Sequence, residues 1–286
     1  MALKNIDKLD RRYIYLIMIV LTTIIVLHPL GLPLPIGVRT TDFYSIVERY
    51  PGGTALLQLE AGTAEIGVPE QLPIAIAVVK HLIRLHYKLV FFSGMGIDDA
   101  DLMVEMLDNM NEMPMTKSGY VYGRDWCIIG WIGGSEPGLK QFAGDIVGYK
   151  PYDFRTRPLR DMPLFANLKT INDFNLWFLM AREADTPSSA MRAIEAPYGM
   201  PPMLITSSSL AGEFTSYVMA GQGRAVCIGA RGGAEYEKLI GEPGLGASTT
   251  DALSAVTLFS MITIVLGNLT LLGKKGVPAK QAKEGV

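Results

Sequence analysis

The sequence predicts an α/β domain built on a doubly wound, mostly parallel sheet of two βαβαβ halves, flanked by N- and C-terminal transmembrane helices. Three observations lead there. Between residues 50 and 241, short apolar runs alternate with helix-period stretches, the pattern of βα units around a parallel sheet. One long uncharged apolar block lies on each side of that region. The chain of 286 residues is 49% hydrophobic and 19% charged, with a mean hydropathy of +0.25. That is too apolar for one soluble core inside a shell in which roughly a quarter of residues are charged. The composition also excludes a disordered chain, a collagen and, with only two Cys, a disulfide-stapled mini-domain.

The first apolar block is uncharged over residues 13–27 and continues through His28-Pro29 into a Pro-rich stretch ending at Ile36. A hydrocarbon layer of ~30 Å needs about 20 helical residues at ~1.5 Å each. Residues 13–36 therefore form a transmembrane helix plus an interface segment, with Tyr13 and Tyr15 at one headgroup level and His28-Pro29 at the other. A cleaved signal peptide has a similar charge and apolar pattern, but no A-x-A-like site follows, which favours an uncleaved anchor. The second block, 251–272, is long enough to span unaided. Ala252, Val256, Ser260, Thr263, Gly267 and Thr270 recur there at steps of three or four, a stripe on which helix backbones pack closely. The stripe is expected to face the first helix or a neighbouring subunit, which makes a homo-oligomer or another membrane protein the expected partner beside the bilayer.

Charge sets the orientation. The tails 1–12 and 273–286 hold eight of the 26 basic residues and three of the 28 acidic ones. The positive-inside rule places both termini in the cytoplasm and residues 37–250 outside it, in the cell membrane. The remaining chain then carries 18 basic against 25 acidic residues, a net of −7. That acidity excludes nucleic acid, whose phosphates require clustered Lys and Arg.

Within 37–250, strands are expected near 54–60, 88–93, 126–130, 175–181, 203–206 and 225–229. Their near-continuous apolar character fits a sheet covered on both faces. Helices follow near 70–86, 98–112, 136–147, 188–196, 211–220 and 235–240. The halves, about 50–148 and 173–241, are joined by 148–172. Cys127-Ile-Ile-Gly-Trp-Ile-Gly-Gly-Ser-Glu136 parallels Cys227-Ile-Gly-Ala-Arg-Gly-Gly-Ala-Glu235 as strand end, Gly-Gly turn and acidic helix start. In the strand order 3-2-1-4-5-6 the two Cys strands lie at opposite edges, about 24 Å apart, beyond the ~7 Å that a disulfide allows between Cα atoms.

Ligands of such sheets bind beyond the carboxyl ends of the strands. The candidate crevice residues are Glu60, Ser93, Gly94, Asp98, Arg182, Thr206, Arg231, Gly232 and Gly233. The Ser93-Gly-Met-Gly-Ile-Asp-Asp99 loop falls short of a dinucleotide fingerprint, because Asp99 stands at the third Gly. Asp98, Asp99, Glu136 and Glu235 read more simply as acids neutralising helix starts. Arg182 and Arg231 leave a small anion open. Ser207, Ser208 and Ser209 follow the fifth strand, where a serine nucleophile could sit, but no G-x-S-x-G is present and His86 ends at the opposite rim. A Ser-Lys pair with Lys238 stays open, and helix capping is the simpler role. No H-E-x-x-H, C-x-x-C or EF-hand spacing occurs. Met103, Met106, Met110, Met113 and Met115 form a cluster that could hold a soft metal, though the first three fit a core stripe better. No metal or cofactor is expected.

Arg157-Pro-Leu-Arg-Asp-Met-Pro163, Asp173-Phe174 and Gly232-Gly-Ala-Glu-Tyr-Glu237 resemble the corresponding segments of a family of prokaryotic two-span membrane proteins with an α/β domain between the spans. The resemblance implies that architecture over nearly the whole chain and brings no chemistry with it. The expectation is an extracytoplasmic, membrane-anchored binding or assembly module, non-catalytic, with a membrane-proximal hydrolase using Ser207, Ser208 or Ser209 as the alternative.

Overall fold

A computed structural model describes residues 10–64, 70–94 and 100–274, with side chains as far as residue 269. Strands β1 (Thr54–Glu60), β2 (Lys88–Ser93), β3 (Trp126–Trp131), β4 (Leu176–Ala181), β5 (Met203–Thr206) and β6 (Ala225–Ile228) form one sheet in the order β3-β2-β1-β4-β5-β6. Every neighbouring pair is parallel. The doubly wound order expected from the sequence is thus present, and the order reverses between β1 and β4. Cys127 and Cys227 lie on the two edge strands, free and buried.

Strand residues alternate between two apolar layers, as the two-residue period of a strand requires. On one face Leu57, Leu59, Phe91, Phe178 and Ile205 pack with α3 (Leu72–Arg84), α4 (Ala100–Asn109), α10 (Gly229–Ile240) and α2 (Val38–Val47). On the other, Leu56, Phe92, Trp177, Leu179 and Leu204 pack with α5 (Ser135–Gly144), α6 (Ile146–Tyr149) and α9 (Ala211–Met219). The helical run α7 (Asp185–Ala190), a π-helical turn (Met191–Glu195) and α8 (Ala196–Tyr198) completes that second layer, through Ala190, Met191 and Ile194. The link 148–172 is made of short 3₁₀ turns that bury Leu159, Leu164, Phe165 and Ile171 under the same face.

Three expectations need correction. Residues 38–47 form a helix where none was expected: Thr, Tyr and Val favour helices weakly, and only Thr40, Phe43 and Val47 turn inward. The last helix of the domain starts at Gly229, not near residue 235, so Gly232-Gly233 is no turn. A Cβ at Gly232 would lie 2.9 Å from Cys227 Sγ, and one at Gly233 3.0 Å from Pro73 Cβ, so the pair lets α10 lie close on β6 and α3. Its counterpart Gly133-Gly134 is a real turn, with Gly134 at φ +85°, and the apparent repeat does not extend to structure. Finally, the methionine stripe of α4 is divided: Met103 is buried among Val104 and Leu107, whereas Leu102, Met106 and Met110 are exposed.

Residues 33–247 form one compact unit; the described parts of 1–32 and 248–286 form another. In the second, α1 (Arg11–Leu27) ends before Pro29, and 29–37 is not helical. Its 17 residues rise about 25 Å, short of a hydrocarbon layer. Among the described residues one helix, α11 (Leu245–Lys274), is long and apolar enough to cross a membrane. The Asp251 carboxylate accepts from Gly31 N (2.8 Å) and Leu32 N (3.3 Å), tying the chain just past α1 to the early turns of α11. Ala252, Val256, Ser260, Thr263 and Gly267 lie on the less exposed side of α11; Leu253, Leu258, Met261 and Val265 lie on the outer side. The side chain of Thr270 lies outside the described residues.

A buried polar relay joins three helices of the domain. His81, in α3, is fully buried and stacks on Tyr44 of α2 at 4.6 Å. Because a carboxylate only accepts, His81 Nε2–H donates to Glu48 Oε1 (2.8 Å), and Nδ1 then accepts from the Tyr236 hydroxyl of α10 (2.8 Å). Arg84 adds bonds to Ile240 O and Tyr44. Burial is the largest influence on His81 and holds its pKa below the ordinary 6.5. The unfolded chain therefore takes up this proton first as pH falls, so the contribution of His81 is complete above 6.5 and is lost as pH drops from there through the lower folded value. Thermal melts from pH 8 to pH 5 are expected to show a Tm fall that is flattened in His81→Gln; equal pH slopes in the two proteins would refute this.

Candidate functional site

The sequence-predicted crevice residues fall into separate places along the carboxyl rim. At the switch point, Glu60 ends β1 with its side chain buried. Its Oε1 accepts from Gln58 Nε2 (2.6 Å) and from Gly94 N (2.8 Å), which ties β1 to the exit of β2. Ser93 is buried beside it, and its carbonyl accepts from Ile132 N. Gly94 is glycine because a Cβ there would lie 2.6 Å from Leu139 Cδ2. Thr206, fully buried, donates to Ala181 O (3.3 Å) and stitches β5 to β4. Arg182 is exposed and lies 3.8 Å from its neighbour Glu183. Asp98 lies outside the described residues.

The described rim opens instead beyond β6. A cavity of about 530 Å³ is lined by Gly37, Val38, Arg39 and Thr40 of the α2 start, by Ser208 and Ala211, and by Ile228, Arg231, Gly232 and Glu235. Arg231, Gly232 and Ser208 were candidates from sequence; Gly233 is turned to α3 instead. Arg39 and Thr40 were not candidates, since they precede the first strand and nothing local marks them as neighbours of a residue some 190 positions later.

Glu235 shapes this cavity. It was expected to neutralise a helix start within its own segment, but it sits in the second turn of α10 and serves another helix. Its Oε1 accepts from Arg231 Nε (2.8 Å), and its Oε2 accepts from Gly37 N (3.1 Å) and Thr40 Oγ1 (2.6 Å). A buried carboxylate thus caps the amino end of α2, whose own cap residue, Gly37, has no side chain to do so. Arg39 has no side-chain hydrogen bond or ion pair among the described residues, and the Arg231 side chain is 64% exposed.

Among the described residues no hydrogen bond joins Ser207, Ser208 or Ser209 to a histidine or lysine side chain. Ser207 Oγ and Ser209 Oγ lie 2.8 Å apart, and Ser208 N donates to Glu70 Oε2 (3.0 Å). Lys238 Nζ donates to Leu34 O (2.7 Å), and His81 is engaged in the core relay. Burial raises Cys127 and Cys227 to about 12, so neither is a thiolate at neutral pH. Among the described residues no three of His, Cys, Asp and Glu come close enough to hold a metal ion.

Compared with family models, curated proteins and solved structures, the chain matches none. The reading of this site accordingly rests on its own geometry.

Gly229 leaves room for Ser208 at the cavity wall. Its φ is +63°, and a Cβ there would lie 2.1 Å from Ser208 Oγ. The left-handed conformation alone costs a non-glycine residue about 1–2 kcal/mol. Gly229→Ala is expected to lower Tm by roughly 2–8 °C, given about 2–4 °C per kcal/mol for a domain of this size; an unchanged melt would show that the wall relaxes freely.

Proposed function

We propose that this protein is a membrane-anchored α/β module that binds a small ligand at the carboxyl rim of its sheet and performs no chemistry on it. The observation that carries the reading is the cavity beyond β6: it is open, its mainly apolar wall carries a few polar side chains (Arg39, Thr40, Ser208, Arg231 and Glu235), and it lies on the side of the sheet where open α/β folds take ligands. The serine cluster beside it is bonded within itself and to Glu70, with Lys238 and His81 committed elsewhere, which favours binding over hydrolysis.

Anchoring is read from α1 and α11 together. The Asp251 contacts bring the end of one apolar helix to the start of the apolar part of the other, the arrangement a two-pass anchor needs. The basic tails on both sides support a reading with the termini in the cytoplasm and the domain outside, by the positive-inside rule. The short α1 would reach across with help from its flanks or a locally thinned bilayer. A Cβ at Gly267 meets nothing within 4 Å, which leaves room beside α11 for a neighbouring helix of a second copy or another membrane protein.

The catalytic alternative is tested with a fluorophosphonate probe on the full chain in mild detergent. Labelling of Ser207, Ser208 and Ser209 is expected to match that of denatured protein, whereas stoichiometric labelling of one of them in the native protein would establish a hydrolase. Carbonate washing of membranes tests the anchor: the full chain is expected to stay in the pellet, and its release to the supernatant would refute the membrane reading.

A further inference from the structure

Resting on the binding reading above, we infer that the cavity beyond β6 is an oxyanion site, built for a ligand that carries a phosphate group. The first argument is charge. Between the tails the chain has a net charge of −7, yet this one cavity is lined by two guanidinium side chains, Arg39 and Arg231, and by one carboxylate, Glu235. That carboxylate is already engaged by three donors. Both its oxygens accept bonds from the wall, so it acts as part of the frame and holds Arg231 by Nε alone. The Arg231 side chain remains 64% exposed, and its terminal amino groups make no hydrogen bond among the described residues. Arg39 is wholly unpaired there.

The second argument is the kind of donor supplied. Guanidinium groups present planar, paired N–H donors that match the oxygens of a phosphate, and charge-assisted bonds of this type are about twice as strong as neutral ones. Ser208 adds a hydroxyl that lies close to Gly229 on the cavity wall. Glu70, whose carboxylate accepts from Ser208 N, is a further acid beside that wall. The volume, about 530 Å³, exceeds what a bare phosphate fills and leaves space for the group that bears it. The lining residues carry two guanidinium groups against one carboxylate, which favours an anion, and the serine hydroxyl with two forks favours several oxygens over the two of a carboxylate. A lipid headgroup and a free phosphorylated molecule share this chemistry.

The test uses the full chain in nanodiscs of phosphatidylcholine, titrated with inorganic phosphate by calorimetry at fixed ionic strength. Saturable binding is expected, weakened tenfold or more by Arg39→Ala and by Arg231→Ala and less than twofold by Arg182→Ala, which removes a rim cation outside the cavity. Circular dichroism checks that each variant is folded. Where Arg231→Ala fails to fold because Glu235 loses a partner, Arg39→Ala decides alone, since the Arg39 side chain makes no hydrogen bond or ion pair among the described residues. Loss of phosphate binding when phosphatidic acid is added to the nanodisc would support a headgroup source; undiminished binding would support a soluble ligand. No saturable binding, or binding indifferent to both arginines, overturns the oxyanion site. Should that happen while the serine probe stays silent, only this inference falls; stoichiometric serine labelling would remove the reading beneath it.

Discussion

The Glu235 carboxylate is the interaction on which the rim of this domain depends. It is buried, and a buried charge is tolerated only when it is paired and hydrogen-bonded. Three donors satisfy it: Arg231 one turn earlier on α10, and Gly37 N and Thr40 Oγ1 at the start of α2. Through it, a helix that precedes the sheet in sequence is seated beside the last helix of the domain. The cavity wall formed by Gly37, Val38, Arg39 and Thr40 exists because α2 is held there. Removing the carboxylate would leave the donors of the α2 start unsatisfied and loosen that end of the helix, while Phe43, Val47 and the Tyr44–His81 stack still hold the rest.

Behind that contact stands the sheet. The order β3-β2-β1-β4-β5-β6 puts β1 and β4 at the centre, where β1 carries the buried pair Gln58 and Glu60. Glu60 spends its bonds on holding the β2 exit in place, so the switch point is braced by polar contacts. The ligand-sized space in the described rim lies two strands away, beyond the β6 edge. A second buried acid, Glu237, accepts from Gly244, Gly246 and Ala247 N–H and fixes the turn into α11. Burial is the largest influence on it and raises its pKa above the ordinary carboxylate value. Glu235 and Glu237, two positions apart on one helix, therefore hold the two segments that lead toward the apolar helices.

Much of the fold was legible in the sequence because a buried parallel strand announces itself as a short continuous apolar run, and all six strands begin and end within a residue of expectation. Helix starts were less legible. Gly229 to Gly233 looks like a turn by composition, and only contact with Pro73 and Cys227 explains why glycine is needed inside a helix. The α2 segment hid because its inward face is three residues wide. The candidate site was half legible: Ser208, Arg231 and Gly232 follow from their positions after strands, whereas Arg39 and Thr40 join them only through a tertiary contact spanning nearly the whole domain.

The most direct measurement is hydrogen–deuterium exchange on the full chain, comparing the natural protein with Glu235→Gln. If Glu235 seats α2, the amides of residues 38–47 should exchange at least tenfold faster in the variant, while those of β1 and β4 keep their protection. Equal protection of α2 in the two proteins would contradict the account, because the cavity wall would then stand without the carboxylate said to build it.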